Sequence, residues 1–112
     1  MYEYKAVVIR VVDGDTFDAD VDLGFNLTMK ARFRLNDVDT PEIFRPKSRA
    51  ESEHGYEATE FVKSLALNAV VTLRTTKDVG IYGRYGAEVI FDDGSSLAAL
   101  LKEQGFEKKE EY

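Results

Sequence analysis

The chain has 112 residues, 44% of them apolar, which is enough for a single domain over residues 1–112 with one modest core. It has no cysteine, which excludes disulfides and thiolate metal sites, and its two prolines and eight glycines exclude a low-complexity chain. The net charge of −6 disfavours a general nucleic-acid binder, because such proteins usually carry excess positive charge.

The sequence carries no recognisable membrane or export signal. Its N-terminus lacks a basic region followed by a long apolar run, and no later stretch is long enough to span a bilayer. We therefore expect a cytoplasmic monomer without a membrane partner, or a secreted protein if an export signal was removed.

Three strands are predicted in the first third of the chain. Residues 5–12 form a β-branched run that ends at the turn signal DGD. Residues 16–23 and 29–36 alternate apolar and polar side chains, so one face of each strand is predicted to be buried from end to end. The polar faces carry opposite charges and predict a solvated cross-strand ladder. Its acidic row is Asp18, Asp20 and Asp22, and its basic row is Lys30, Arg32 and Arg34.

The rest of the chain predicts two helices and two more strands. Residues 43–54 show no sustained periodicity, which indicates a polar surface loop. The elements that follow are a helix from Gly55 to about Asn68, a strand over 70–76, a loop over 77–83, a strand over 84–91 and a helix over 97–104. Ser95 or Ser96 is the candidate N-cap of the last helix, and Gly105 is the residue that ends it.

The order βββ-α-ββ-α predicts a mainly β protein. It fits a five-stranded, partly open OB-fold barrel with a helix between strands three and four and a short C-terminal helix. Barrels of this kind bind oligonucleotides or oligosaccharides, but the fold alone assigns no function. The chemistry has to be sought in individual motifs.

The first such motif is DGDT, residues 13–16. Asp-Gly is a strong turn signal, so a simple hairpin turn is one interpretation, and an aspartate directed at a cation is the other. An EF-hand is excluded, because the fifth position counted from Asp13 is Phe17, where an oxygen ligand is needed.

The second motif is DVDTPE, residues 37–42. Pro41 forces Thr40 into an extended conformation and ends the strand, so that Asp39, the Thr40 carbonyl and Glu42 lie close together. Hard oxygen ligands such as these suit Ca²⁺ or Mg²⁺, although a solvated turn would have the same sequence.

The third motif is YGR, residues 82–84, and its Arg84 is predicted to lie at the start of the fifth strand. An arginine in a loop is usually a surface charge, but an arginine that clamps a phosphate looks the same in sequence. Taken together, the three motifs supply what phosphodiester hydrolysis needs: hard ligands for a cation, arginines for the phosphate and a carboxylate for the attacking water.

Five motifs in order resemble the staphylococcal nuclease family: VVDGDT, RFRLNDVDTPE, HGYEATEFV, YGR and DDGSSLAALLKEQG. The resemblance covers the chain from about Lys5 to Phe106. It implies an OB-fold, Ca²⁺-dependent endonuclease that acts on DNA and RNA, single-stranded or locally melted, and leaves 3′-phosphate and 5′-hydroxyl ends.

The resemblance also implies roles for individual residues. The implied Ca²⁺ ligands are Asp15, Asp39 and the backbone carbonyl of Thr40. The implied catalytic residues are Glu42, as general base or water-orienting group, and Arg34 and Arg84, on the scissile phosphate. Tyr82 would contact a terminal phosphate. Asp13 would support the ligand Asp15 without binding the ion itself.

Three further residues, Lys47, Arg49 and His54, are candidates for a role. Lys47 and Arg49, on the predicted loop, are candidates for gripping the nucleic-acid backbone, with an ordinary solvated loop as an equal alternative. His54, next to Gly55 at the predicted helix start, is expected to be a cap-region residue rather than a catalyst.

Two features depart from the family pattern. Ile81 stands where the family has a phosphate-contacting lysine. The tail FEKKEEY lacks the paired aromatic residues that the family places beside the nucleotide base, so Tyr112 is the only candidate there for contact with that base. Base stacking contributes ~1–3 kcal/mol per base, so we expect weaker or different nucleotide selectivity.

Two other functions stay open at this point. A non-catalytic OB-fold module that binds nucleic acid would be expected to have lost Glu42, an arginine or a ligand aspartate, yet all are present. An acidic domain that mimics nucleic acid would need neither Arg34 nor Arg84, and Ca²⁺ would not affect its stability.

Overall fold

The computed structural model describes residues 1–79 and 83–112, and only the backbone of residues 77–79. The elements in chain order are β1 (Tyr2–Asp13), β2 (Thr16–Gly24), β3 (Leu27–Leu35), α1 (Arg49–Ala66), β4 (Val70–Val79), β5 (Tyr85–Ile90) and α2 (Leu97–Glu103). Within these ranges no helix is both long and apolar enough to cross a membrane.

The five strands close into one barrel in the order β1-β2-β3-β5-β4. Strands β1, β2 and β3 form the predicted antiparallel meander, β5 joins β3 in parallel, and β4 pairs with both β1 and β5. Helix α1 lies between β3 and β4 in the chain, and α2 follows β5. The predicted mainly β, OB-fold architecture is confirmed, except that the barrel is closed and not partly open as predicted.

The apolar face of the β2–β3 hairpin is buried only in its inner half. Phe17 and Phe33 are almost fully buried, but Leu23 is 39% exposed and Met29 38% exposed, so the prediction of burial from end to end is wrong. Strand β1 pairs with β2 only as far as Ala6, opposite Val21, and the hairpin continues beyond the barrel without that neighbour.

The predicted charge ladder is reduced to one salt bridge among the described residues. Asp18 lies opposite Arg32, whose Nε and Nη2 donate to the two carboxylate oxygens at 2.7 and 3.1 Å. Arg34 lies opposite Thr16 instead of an acid, and it is directed elsewhere. The strand register therefore leaves Arg34, the last residue of the predicted basic row, without an acid opposite it.

Helix α1 begins at Arg49, inside the segment predicted to be a loop. Ser48 is its N-cap, with Oγ accepting the Glu51 N–H at 3.1 Å, and the Glu51 carboxylate accepts the Lys47 N–H at 2.7 Å. These bonds satisfy N–H groups that a helix N-terminus otherwise leaves unpaired. The Ser48-to-Glu51 spacing is that of a capping box, so the signal was present in the sequence.

The remaining boundaries agree more closely with the predictions. Strand β4 runs to Val79, which pairs with Tyr85, so the predicted loop over 77–83 begins too early. Ser96 is the N-cap of α2, and its Oγ accepts the Ala99 N–H at 3.4 Å.

Candidate active site

Two acidic segments meet in what we call the acid junction, residues 13–16 and residues 37–42. The first segment spans the β1–β2 turn, and the second follows the end of β3. Gly14 is required at their contact, because a Cβ atom there would lie 2.8 Å from Thr40 Oγ1 and 2.9 Å from Thr40 Cβ and Cγ2. The side chain of Thr40 therefore packs directly on the backbone of the turn.

Helix α1 approaches the same segment closely. A Cβ atom on Gly55 would lie 2.8 Å from the Pro41 carbonyl oxygen and 3.0 Å from that of Glu42. Because any larger residue would force the two apart, Gly55 allows the helix to support the backbone from which Glu42 projects.

Asp15 is the buried centre of the acid junction, with only 5% of its surface exposed. Its Oδ2 accepts the backbone N–H of Thr40 at 3.0 Å, and its Oδ1 accepts the hydroxyl of Thr16 at 3.0 Å. These bonds link the turn to the second acidic segment and fix the direction of the carboxylate.

Arg34 bridges the two carboxylates of the acid junction. Its Nη2 lies 3.4 Å from Oδ2 of Asp15 and 3.0 Å from Oδ1 of Asp39, while Nη1 donates to the Leu35 carbonyl at 3.0 Å. Asp39 is more than half exposed, and the Arg34 side chain is about one third exposed. Two carboxylate oxygens from separate segments thus converge on one cationic nitrogen.

The two aspartates of the turn differ in protonation. Burial, the hydrogen bond with Asp15 and the negative charge of Asp15 raise the pKa of Asp13 to about 7. Burial alone would raise the pKa of Asp15 too, but hydrogen bonds from Asp13 and the Thr40 backbone, with the charge of Arg34, hold it below its ordinary value. Asp15 is therefore the ionised member of the pair, and Asp13 supports it by accepting its N–H at 3.2 Å.

Glu42 lies on what we call the arginine groove, a hollow of about 360 Å³ next to the acid junction. Its pKa is raised, first by burial and then by the negative charge of Asp15, which suits a carboxylate that accepts a proton. Arg84 lines the same groove and donates from Nη1 to the Thr16 hydroxyl at 3.3 Å. The lining of the groove also includes Asp13, Arg10, Arg32 and Phe44.

A second hollow of about 350 Å³, which we call the acidic hollow, includes Arg34 and Asp39 in its lining. Its remaining charged side chains are Asp37 and Glu107. One arginine therefore faces three acids here, whereas three arginines face two acids in the arginine groove.

The donor set of the acid junction fits a hard divalent cation. Asp15 and Asp39 already converge on the positive charge of Arg34, and carboxylate oxygens are the ligands that Ca²⁺ prefers. Across residues 1–79 and 83–112, no group of three His, Cys, Asp or Glu side chains is arranged to hold a metal. An ion bound between Asp15 and Asp39 would therefore take two carboxylates from the described residues and would be held weakly.

Among the described residues, two predicted substrate contacts, Lys47 and Arg49, are not brought to this site. Arg49 is the first residue of α1 and pairs with Glu53 of the same helix at 3.1 Å, so it does not lie on a loop as predicted. Lys47 donates its backbone N–H to the start of the helix, and neither side chain bonds to the described part of the acid junction. Tyr82 lies outside the described residues.

His54 lies within α1 instead of at its cap, and it binds the C-terminal tail, residues 105–112. Its Nε2 donates to the Gly105 carbonyl at 2.8 Å, and Nδ1 lies 2.8 Å from the hydroxyl of Tyr112. The ring also packs against Phe106, which in turn contacts Phe61 at 5.2 Å between centroids. The prediction of a cap residue is wrong because the helix begins earlier.

Lys108 in this tail is a contact that sequence reasoning missed. Its backbone N–H donates to the Asp39 carbonyl at 2.7 Å, and its Nζ lies 3.5 Å from Oε2 of the buried Glu51. Its charge also lowers the pKa of Glu42, against the effect of burial. No local pattern marks this lysine, since the contact depends on how the tail crosses the acid junction.

Comparison with known proteins shows the family to which the chain belongs. A family model described as staphylococcal nuclease homologue matches residues 32–111, a range that contains every predicted site residue except Asp13 and Asp15. The chain belongs to the staphylococcal nuclease family.

Relatives in this family are nucleases of greater length. The chain is 30% identical over 110 residues to Endonuclease YhcR of Bacillus subtilis (strain 168), covering 93% of this chain and 9% of that protein. It is 37% identical over 78 residues to the Thermonuclease of Staphylococcus hyicus, covering 69% of this chain and 43% of the relative. For the Thermonuclease of Staphylococcus intermedius the identity is 37% over 100 residues, covering 87% and 55%. The chain thus spans between about a tenth and about half of these relatives.

Proposed function

We propose that this member of the staphylococcal nuclease family is a Ca²⁺-dependent endonuclease that hydrolyses DNA and RNA, with single-stranded or locally melted substrates preferred. The observation that carries the proposal is the convergence of Asp15 and Asp39 on Arg34, beside a groove that Glu42 and Arg84 share. The products would be 3′-phosphate and 5′-hydroxyl ends.

Asp15, Asp39 and the backbone carbonyl of Thr40 would hold the ion. Once bound, Ca²⁺ supplies positive charge that neutralises a phosphate oxygen and polarises the phosphorus. Binding should be weak without substrate, because phosphate oxygens and water would have to complete the coordination shell.

Glu42 is the proposed general base. Its raised pKa makes it a stronger proton acceptor than an ordinary glutamate, and its position on the groove would give it access to a water molecule beside a bound phosphate. As Glu42 takes a proton from the water molecule, the water oxygen forms a bond to phosphorus and the bond to the 5′-oxygen breaks. The 5′-oxygen takes up a proton from solvent and leaves as a hydroxyl group.

Arg34 and Arg84 are the proposed phosphate clamps. Guanidinium groups donate paired hydrogen bonds to phosphate oxygens and stabilise the charge that grows in the transition state. Arg34 now donates to Asp15 and Asp39, and it would exchange these partners for phosphate when both carboxylates are engaged by an ion.

The decisive experiment compares the wild type with Glu42→Gln on a labelled single-stranded oligonucleotide, with Ca²⁺ or with a chelator. We expect wild-type cleavage only with Ca²⁺, and a rate for Glu42→Gln lower by about 10²–10⁴-fold. Cleavage at an unchanged rate in the variant would exclude Glu42 as the base. Oligonucleotide binding without cleavage would favour a non-catalytic binding module.

Metal binding can be tested without activity. We expect Ca²⁺ to raise the melting temperature of the wild type but not of Asp39→Asn. Asp37→Asn is the matched control, because it removes the same charge from the neighbouring segment at a residue that is not a predicted ligand. An equal Ca²⁺ response in both variants would refute the proposed ligand.

A further inference from the structure

The arginine groove extends beyond the residues that the proposed reaction uses. Glu42 and Arg84 lie on it, and Arg10, Arg32 and Phe44 line it as well. Its volume of about 360 Å³ is within the range of sites that hold small organic molecules. The groove therefore has room for a part of the substrate besides the scissile phosphate.

Arg10 and Arg32 come from different strands and share one acidic neighbour. Asp18 of β2 lies opposite Arg10 of β1 in the strand register and opposite Arg32 of β3. Two arginines thus flank one aspartate, which leaves this row of three strands with a net positive charge.

Asp18 orients the guanidinium group of Arg32 but uses only some of its N–H groups. The carboxylate accepts from Nε and Nη2, so the remaining N–H groups of Arg32 stay available to another acceptor. This ion pair is exposed on its arginine side and adds little stability, so a phosphate could recruit Arg32 at little cost. Arg10 is exposed and forms no salt bridge within the described part of the chain.

Phe44 provides an apolar surface in the same groove. Its side chain is 62% exposed, although it lies among charged groups on the segment that follows Glu42. An exposed aromatic ring beside arginines is the combination that proteins use to bind single-stranded nucleic acid, where bases stack on the ring and phosphates contact the cations.

The acidic hollow offers the opposite electrostatic environment. Asp37, Asp39 and Glu107 outnumber Arg34 there, so it would repel a polyanion that extended from the scissile phosphate in that direction. Of these two hollows that adjoin the catalytic residues, only the arginine groove has a charge that favours further nucleotides.

We infer that the arginine groove is a binding site for nucleotides beyond the two that the cleaved bond joins, with Arg10 and Arg32 on a neighbouring phosphate and Phe44 stacked on one of the further bases. This inference rests on the proposed nuclease function and adds the path of the substrate. It makes Arg10, Arg32 and Phe44 substrate-binding residues that take no part in bond cleavage.

The test compares a dinucleotide, which offers only the cleaved bond, with a single strand of about a dozen nucleotides. On the long strand, Arg10→Gln and Arg32→Gln should each lower kcat/KM by about 3- to 10-fold, and Phe44→Ala by about 5-fold or more. Each arginine variant should also reduce the slope of log KM against log salt by about 0.7. Dinucleotide cleavage should be unchanged in all three.

Lys30→Gln is the matched control, since it removes an exposed positive charge from β3 outside the groove. It should retain the wild-type salt slope. The inference is overturned if the two arginine variants behave like Lys30→Gln on the long strand, or if they lose as much activity on the dinucleotide.

Failure of the nuclease proposal would be recognised separately, because the wild type would then cut neither substrate. In that case fluorescence anisotropy with the long strand and a chelator still tests the groove. Weaker binding by Arg10→Gln and Arg32→Gln than by Lys30→Gln would support the groove, and equal binding would overturn it.

Discussion

The acid junction contains Asp39 and the C-terminal tail contacts it, but the junction and the tail are held by different kinds of interaction. In the junction, Asp15 is buried, its carboxylate bonds to the Thr40 backbone, and Thr40 packs without a gap on Gly14. The tail is held by a backbone hydrogen bond from Lys108 and by exposed polar and aromatic contacts at His54.

This difference shows which part of the site has the most tightly fixed geometry. Buried close packing has no alternative arrangement of similar energy, so adding one atom to the junction displaces the carboxylates. Exposed contacts exchange with water, so the tail can lose one of them and keep its position. We therefore expect the effects of substitution to fall from the junction to the tail.

Gly14→Ala should have the largest effect. The new methyl group would overlap the side chain of Thr40, and overpacking of this kind costs about 1–3 kcal/mol in the free energy of unfolding. Urea denaturation measures the loss, and the Ca²⁺-induced rise in melting temperature should disappear with it.

The same substitution in a Thr40→Ala background should cost less, because two of the three overlapping atoms are then absent. Equal costs in the two backgrounds would show that the contact between Gly14 and Thr40 does not determine the geometry of the junction.

Lys108→Gln should have a smaller effect, because it leaves the packing of the junction unchanged. It removes the cation beside Glu51, whose Oε2 is buried and has no hydrogen-bond partner among the described residues. The melting temperature should fall near pH 7. The fall should shrink in acid, because Glu51, whose folded pKa is lowered, then becomes protonated.

Lys102→Gln is the control for Lys108→Gln, since it removes an exposed lysine from the last turn of α2. If both variants melt at the same temperature, the ion pair with Glu51 contributes nothing to stability.

Asp13→Asn should stabilise the protein in a pH-dependent way. Between the ordinary value of 3.8 and about 7, folded Asp13 keeps a proton that the unfolded chain has lost, so wild-type stability falls as the pH rises through this window. Asparagine cannot ionise, so the advantage of the variant should be near zero at low pH and largest above pH 7.

Thermal melts at a series of pH values with a chelator present would measure this advantage. Asp37→Asn, which removes one exposed negative charge nearby, controls for the change in net charge. A constant difference between Asp13→Asn and the wild type across the pH range would contradict the assignment of the proton to Asp13.

Tyr112→Phe should have the smallest effect. The hydroxyl group bonds to His54 and to the Lys109 N–H, but all three groups are at least partly open to solvent, so water replaces the bonds. We expect a loss of at most about 0.5 kcal/mol in urea denaturation. A much larger loss would mean that the tail is part of the cooperative core.

Local sequence patterns predicted most of the barrel, because alternation of apolar residues directly reports which strand face is buried. They were wrong where the burial of a residue depends on a neighbouring strand. Leu23 follows the alternating pattern but lies beyond the last residue of β1 that pairs with β2. The start of α1 was missed for another reason: the capping signal at Ser48 and Glu51 was present, but it was outweighed by the lack of periodicity.

In the candidate site, too, some residues could be predicted from local sequence and others depend on distant segments. Asp15, Arg34, Asp39 and Glu42 could be named from two motifs and a family resemblance. The contacts of Lys108, the position of His54 and the arrangement of Arg10 around Asp18 could not, since each joins segments that are distant in the chain.

The sequence by itself determined the order of strands and helices, the buried face of each strand and the residue types available for phosphodiester chemistry, because these depend on local periodicity and on side-chain chemistry. The tertiary structure alone decided that Arg34 bridges two carboxylates, that the tail crosses the acid junction and that one hollow is basic while the other is acidic. Charge acts through space, and only folding sets the distances between segments that are far apart in the chain.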